Sequence, residues 1–280
     1  MKSRKTYPVV LSIAGSDSSG GAGIQADLKT FSALGVYGAT AITAITAQNT
    51  QGVISQFALT PQIVYDQLTA VIEDIHPSAV KIGMLANSDI VIAVANALSK
   101  YSIPLILDPV IISSSGHRLL SVEAIDVIKE RLLPMATLIT PNIPEMEYLT
   151  NMSLSSDEEK YDATQNLMSF GINAILLKGG HENGDKKRDI LYIKSEKGVK
   201  ISYFSSPTIP TKNIHGTGCT LSSAIAAFMS RGKCLEDAVA MAKEFICDAI
   251  RYGADIEIGR GHGPVNHGFN PLKMMINDFR

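Results

Sequence analysis

Short apolar runs alternate along the chain with stretches whose apolar residues recur at helical spacing. Residues 9–14 form an apolar run ending at Gly15, and residues 24–34 then show a helical period. Residues 36–47 are rich in β-branched side chains and alanine and predict a strand with an extension. Residues 61–75 predict a helix, with Thr60 as its N-cap and Pro61 in its first turn. The same alternation predicts strands at 79–82, 104–107, 137–140 and 174–177, and helices at 89–98, 122–132 and 158–170. Residues 189–194 and 199–204, separated by Glu196-Lys197-Gly198, predict a hairpin at a sheet edge. Two long helical patterns, 217–229 and 235–252, complete the chain.

Apolar strands alternating with helices imply an α/β fold, with a mainly parallel sheet covered by helices on both faces. No internal repeat or Pro/Ser-rich linker divides the sequence, so a single domain over residues 1–280 is expected, with 1–6 and 271–280 as peripheral tails. Gly15, Gln48, Gly83, Asp108, Asn142 and Lys178 stand at the carboxyl ends of predicted strands. Ligands bind outside those ends in open α/β sheets, so together these residues predict where the site lies.

Charge narrows the partners. The formal net charge is −2 and the lysines and arginines are dispersed, which gives no footprint for nucleic acid or an acidic membrane. No apolar stretch approaches the roughly 20 residues that span a bilayer. Cys219, Cys234 and Cys247 fit neither a disulfide framework nor a zinc site, and a cytoplasmic location is expected.

Two glycine loops carry the candidate chemistry. The first runs from Gly15 to Gly23 between a strand and a helix. Gly21 occupies the place where a Walker A loop requires lysine, and the glycine spacing does not match the dinucleotide fingerprint. It reads either as a tight turn or as a bare backbone on which a flat substrate can lie. The second loop, His215-Gly216-Thr217-Gly218-Cys219, opens a small-residue helix. Two glycines one residue apart at a helix start can aim successive N–H groups at one point, and the helix dipole adds to that field. Such a turn suits the charge on a phosphoryl group during transfer. Cys219 lies in the first helical turn, where thiol pKa is ordinarily lowered, so it is expected to favour thiolate and to accept a substrate hydroxyl proton.

Ordered segments across the chain strongly resemble one family. They include Ala14 to Thr30, Ala47-Gln48-Asn49-Thr50, Lys81-Ile82-Gly83-Met84-Leu85, Leu107-Asp108-Pro109-Val110, Ile139 to Glu145, Leu177-Lys178-Gly179-Gly180-His181, Lys212 to Ser222 and Gly261 to His267. Together they resemble the bifunctional hydroxymethylpyrimidine and phosphomethylpyrimidine kinases of thiamine biosynthesis, in the ribokinase superfamily. The resemblance implies a ribokinase-like three-layer α/β/α sandwich and two successive ATP-dependent phosphorylations of a small pyrimidine. It also implies Mg²⁺, a homodimer and room for a monovalent cation.

By position in that resemblance, Gln48 would meet the aminopyrimidine edge, and Gly15, Asp27, Met84 and Val110 would line the same pocket. Asn142 and Glu145 match an Asn-x-x-Glu segment that organises Mg²⁺ and phosphates, with Asp108 nearby. Lys178, Thr211, Lys212, Asn213 and Lys243 would flank the nucleotide. Gly216, Thr217, Gly218 and Cys219 would supply the anion hole and the base. The serine-rich segment 113–117 would be a lid that excludes water. Cys219 stands where most of the superfamily carries aspartate, and Ile214 where threonine is commoner. A related pyridoxal-kinase branch shares the cysteine but carries another in the lid loop, where this chain has Ile111-Ile112-Ser113-Ser114. Pyridoxal phosphorylation, covalent catalysis through Cys219 and a non-catalytic binding module are the rival readings.

Overall fold

The computed structural model describes residues 5–112, 119–180 and 184–278. Its centre is a nine-stranded sheet formed by β2 (Val9–Asp17), β3 (Tyr37–Asn49), β4 (Gly52–Ala58), β5 (Ala79–Ile82), β6 (Leu105–Leu107), β7 (Leu138–Ile139), β8 (Ala174–Leu177), β9 (Lys186–Ser195) and β10 (Gly198–Pro207). The strand order is β10-β9-β8-β7-β6-β5-β2-β3-β4. The pairs from β3 through β2, β5, β6 and β7 to β8 are parallel, and β4, β9 and β10 join antiparallel at the two edges. The order reverses at β2, which lies between β3 and β5, and a crevice opens at such a switch point.

Side-chain alternation sorts the apolar residues into two cores. Val10, Ala79, Ile106, Leu138 and Leu176 face one side, with α1 (Gly23–Ala33), α7 (Thr217–Ser230) and α8 (Leu235–Gly253). Leu11, Ile13, Val80, Ile82, Leu107, Ile139 and Ile175 face the other. There they meet α2 (Pro61–Ile75), α3 (Ser88–Leu98), α4 (Val122–Val127), α5 (Ile143–Thr150) and α6 (Asp157–Met168). Burial on both faces is why the parallel strands read as continuous apolar runs.

The expected helix 122–132 divides into α4 and a π-helical turn, Ile128–Leu132. Two elements escape the periodicity. β4 is largely exposed and returns beside β3 through a tight turn at Thr50-Gln51. α5 is short and begins between Pro141 and Pro144, which locally read as breakers; its start is closed by a capping box in which Asn142 and Glu145 exchange hydrogen bonds, each 2.8 Å. The chain ends meet: β1 (Lys5–Thr6) pairs antiparallel with β11 (Asn277–Asp278).

Candidate active site

A cavity of about 620 Å³ opens at the carboxyl ends of the parallel strands. Of the strand-end residues singled out from the sequence, Gly15, Gln48, Asp108, Asn142 and Lys178 line it, and Met84 lines it in place of its neighbour Gly83. Val110, Glu145, Lys243 and Gly216 to Cys219 complete the agreement.

The start of α7 borders the cavity. Gly216 has φ +83°, and a Cβ there would strike the Gly21 carbonyl, so the two glycine loops pack backbone to backbone. A Cβ on Gly218 would stand 3.4 Å from Lys178 Nζ, which places the helix start against a buried charge cluster. Lys178 Nζ donates to Asp108 Oδ1 at 2.8 Å and lies 3.7 Å from Glu145 Oε2. Thr140 Oγ1 donates to the same Asp108 oxygen at 3.0 Å. Helix-start amides lack partners within their own helix. Thr217 N–H nevertheless donates to the Ile214 carbonyl at 3.2 Å.

Electrostatics separate the acids. Burial alone would raise the Asp108 carboxyl, but Lys178 and Lys81 hold it below the usual carboxylate range. Burial pushes Glu145 up to about 7; Lys178 opposes that rise and the Asp108 charge adds to it. Asp108 and Glu145 offer oxygens that fit a divalent cation held with waters and phosphate oxygens. Among the described residues no group of three or more His, Cys, Asp and Glu side chains can hold a metal alone.

Glu145 also links protonation to stability. A carboxyl whose folded pKa lies above its unfolded value favours folding when protonated, and loses that contribution as pH rises from about 4.5 through about 7. Wild type should therefore lose stability relative to Glu145→Gln between pH 5 and pH 8. Paired thermal unfolding at both values measures this, and the comparison cancels His267, which is lowered to about 4 by burial. A pH-independent difference would contradict the assignment.

The surroundings of the thiol bear on the sequence expectation. Burial pushes Cys219 up to about 11; Lys81 opposes that rise, and Asp27 and Asp108 add to it. Burial thus works against the thiolate that the helix position predicts. The helix field and Lys81 favour the thiolate, while burial and the two carboxylates disfavour it.

Beside that helix start, where the first glycine loop packs against it, Asp17 gathers five donors. Its Oδ1 accepts from Ser19 N–H at 2.8 Å and Ser19 Oγ at 2.7 Å. Its Oδ2 accepts from Gly21 N–H at 3.1 Å and Ala22 N–H at 2.8 Å, and His215 Nε2 is 2.8 Å away. Burial opposes ionisation, but these bonds, His215 foremost, hold Asp17 down to about 2. Gln48 reaches both His215 Nε2, at 3.4 Å, and Thr46 Oγ1, at 3.0 Å. Sequence reasoning singled out neither Asp17 nor the His215 side chain. A sequence signal exists for Asp17, an acid in the turn between two glycines, where orphan amides need an acceptor.

Four predicted residues do not reach the cavity. Asp27 is fully buried beneath it, 3.0 Å from Lys81 Nζ, and accepts from Ser12 Oγ at 2.5 Å and Ser223 Oγ at 2.6 Å. Alternation explains the place: Ser12 and Lys81 are register partners on β2 and β5 and point to the face that α1 and α7 cover. Thr211 and Asn213 turn instead to the end of α8, where Thr211 Oγ1 donates to the Ala254 carbonyl at 2.9 Å and Asn213 Nδ2 to the Gly253 and Ile256 carbonyls at 2.8 and 2.6 Å. Orphan carbonyls at a helix end take up their donors. Lys212 is exposed and outside the lining. Lys243 lines the cavity but is committed to Asp189 at 2.6 Å. The expected lid at 113–117 and His181 lie outside the described residues.

The family model described as phosphomethylpyrimidine kinase matches residues 17–266, which include the first glycine loop from Asp17 onward, the whole of the second, and every strand-end residue on the cavity except Gly15. The chain belongs to the phosphomethylpyrimidine kinase family. It is 47% identical over 259 residues to the thiamine biosynthesis bifunctional protein ThiED of Geobacter sulfurreducens, covering 92% of this chain and 52% of that protein. This chain thus spans about half the length of that relative. A hydroxymethylpyrimidine/phosphomethylpyrimidine kinase of Rhizobium meliloti is 45% identical over 260 residues, 92% of this chain and 96% of its own length. Among solved structures, an ADP complex of Bacillus subtilis pyridoxal kinase superposes with a TM-score of 0.85 at 34% identity, over 94% of this chain and 98% of that one. The fold is accordingly that of the ribokinase-like kinases, and the protein is a phosphotransferase.

Proposed function

We propose that this kinase uses ATP to phosphorylate hydroxymethylpyrimidine and then the resulting monophosphate, the two steps that precede thiamine assembly. The observation that carries this reading is family membership over 17–266, combined with one cavity lined by Gln48 and by Gly218, Cys219 and Lys178. Gln48 pairs with the aminopyrimidine edge, while Gly15, Met84 and Val110 hold the ring. The substrate hydroxymethyl group points to Cys219, and the Gly218 and Cys219 amides, with Lys178, receive the transferred phosphoryl group. Thr217 N–H is already engaged by Ile214, so the anion hole is narrower than the whole Gly216–Cys219 turn.

The nucleotide lies toward Asn142 and Lys243, over the apolar wall of Ile209, Ile246 and Ile250. Asp108 and Glu145 would hold Mg²⁺, directly or through water, and its charge offsets that of the phosphates. Cys219 accepts the hydroxyl proton as a thiolate, its own proton having first passed to solvent through the cavity that it lines.

The pyridoxal reading rests on the pyridoxal kinase structure, less similar in sequence than the pyrimidine kinases above. A coupled ADP-release assay with hydroxymethylpyrimidine, its monophosphate and pyridoxal separates the two. Turnover of both pyrimidines well above pyridoxal is expected, and a strong preference for pyridoxal would overturn the substrate assignment.

A further inference from the structure

We propose that Asp17 and His215 are positioning residues that fix which way round the Gln48 amide stands, and so restrict the enzyme to pyrimidines with an amino group, rather than an oxo group, beside the reacting carbon. This rests on the reading of Gln48 as the residue that meets the ring.

The argument is a proton count. Asp17 receives amide and hydroxyl donors on both oxygens and is an acceptor-only carboxylate. His215 Nε2, 2.8 Å from Oδ2, must therefore carry a proton and donate it. The structure sets Gln48 Nε2 3.4 Å from that same nitrogen, which would place two donors face to face. A second conflict lies at the other end of the amide. Thr46 Oγ1 is 2.9 Å from the Ser16 carbonyl and 3.0 Å from Gln48 Oε1, two acceptors for one hydroxyl proton.

Turning the amide over resolves both conflicts. Gln48 Oε1 then accepts a share of the His215 Nε2 proton, in a three-centre bond with Asp17. Gln48 Nε2 donates to Thr46 Oγ1, whose own proton goes to Ser16. The backbone keeps the imidazole in place, because His215 N–H donates to the Gly263 carbonyl at 3.1 Å. The histidine is buried, so water does not compete for the bond.

This orientation leaves one acceptor lone pair on the His215 side of the cavity and one N–H on the Thr46 side. An aminopyrimidine satisfies them with its exocyclic amino group toward His215 and its ring nitrogen toward Thr46. The carbon bearing the hydroxymethyl group adjoins the amino-bearing carbon. It is therefore carried toward His215 and the following Gly216–Cys219 turn, where phosphoryl transfer is placed. A 4-oxo ring presents an acceptor and an N–H in the reverse order, and meets acceptor with acceptor and donor with donor. A site that leaves buried polar groups unpaired rejects such a ligand strongly.

The test compares kcat/KM for 4-amino- and 4-oxo-5-hydroxymethyl-2-methylpyrimidine in wild type, His215→Phe, His215→Gln and Gln48→Ala. His215→Phe should reduce the amino-over-oxo preference by about tenfold or more, with KM for ATP little changed. His215→Gln, whose amide nitrogen can donate from the position of Nε2, should keep the preference within about threefold of wild type. The two rings have the same shape, so a purely structural role for His215 would not move their ratio. In ¹H–¹⁵N spectra of the wild-type protein, His215 Nε2 should bear the proton. A bare Nε2, or a wild-type ratio in His215→Phe while Gln48→Ala abolishes the preference, overturns the orienting role alone. An unchanged ratio in Gln48→Ala overturns the reading of Gln48 as well.

Discussion

Cys219→Ala is expected to lower kcat by roughly 10²-fold or more, the usual scale for loss of a general base. KM for the pyrimidine should change far less, since Gln48 and the cavity walls remain. The pH profile makes the role specific. Burial holds the free thiol near 11, so the thiolate fraction rises about tenfold per pH unit below that value. If the thiolate is the base, wild-type kcat/KM should climb with a slope near one between pH 8 and pH 10, above the Glu145 transition, and the alanine variant should be flat over the same range. A large loss of rate with a flat wild-type profile would mean that the thiol positions substrate without taking its proton. Near-full activity of Cys219→Ala would end both roles while leaving the anion hole in place. Intact-mass measurement during turnover adds a check, because a covalent adduct on Cys219 would favour nucleophilic catalysis instead.

Lys81→Met should cost about 3–5 kcal/mol of stability, the range for removing one partner of a buried ion pair. Lys81 and Asp27 are both fully buried and 3.0 Å apart. Burial alone would lower the lysine, and the Asp27 charge raises it above its ordinary value instead. Without Lys81, Asp27 keeps only the Ser12 and Ser223 hydroxyls in a dry interior. Urea denaturation measures the loss. The double variant Lys81→Met/Asp27→Leu should recover much of it, because replacing both charges removes the unpaired carboxylate. A single variant within about 1 kcal/mol of wild type would show that the pair is not a keystone of the fold. The pair also lies under the active site. Ser223 follows Cys219 by one helical turn on α7, as Asp27 follows Gly23 on α1, so a shift of the ion pair would move the thiol and the loop it faces.

The strand-end residues show how far pattern carries. Gly15, Gln48, Asp108, Asn142 and Lys178 were legible as a site because each ends an apolar run, and parallel strands bring those ends to one rim. The turn at Gly216 to Cys219 was legible because glycine spacing at a helix start has few other uses. Asn142 and Glu145 carried a capping-box spacing, although the two prolines around them concealed the helix that they cap. β4 was not legible, since an exposed edge strand lacks the apolar alternation that burial imposes.

Sequence alone thus determined the class of fold and the family, and it marked the Gly216–Cys219 turn that lines the cavity, because periodicity and ordered motifs are local properties that survive without coordinates. Tertiary structure decided what depends on neighbours distant in the chain. It drew Asp27 into a buried pair with Lys81, took Thr211 and Asn213 to the end of α8, and joined Asp17 to His215, 198 positions away. It also set burial against the thiolate expected at Cys219, because a pKa depends on the water lost and the charges gained around a group, and neither is written in the residues beside it.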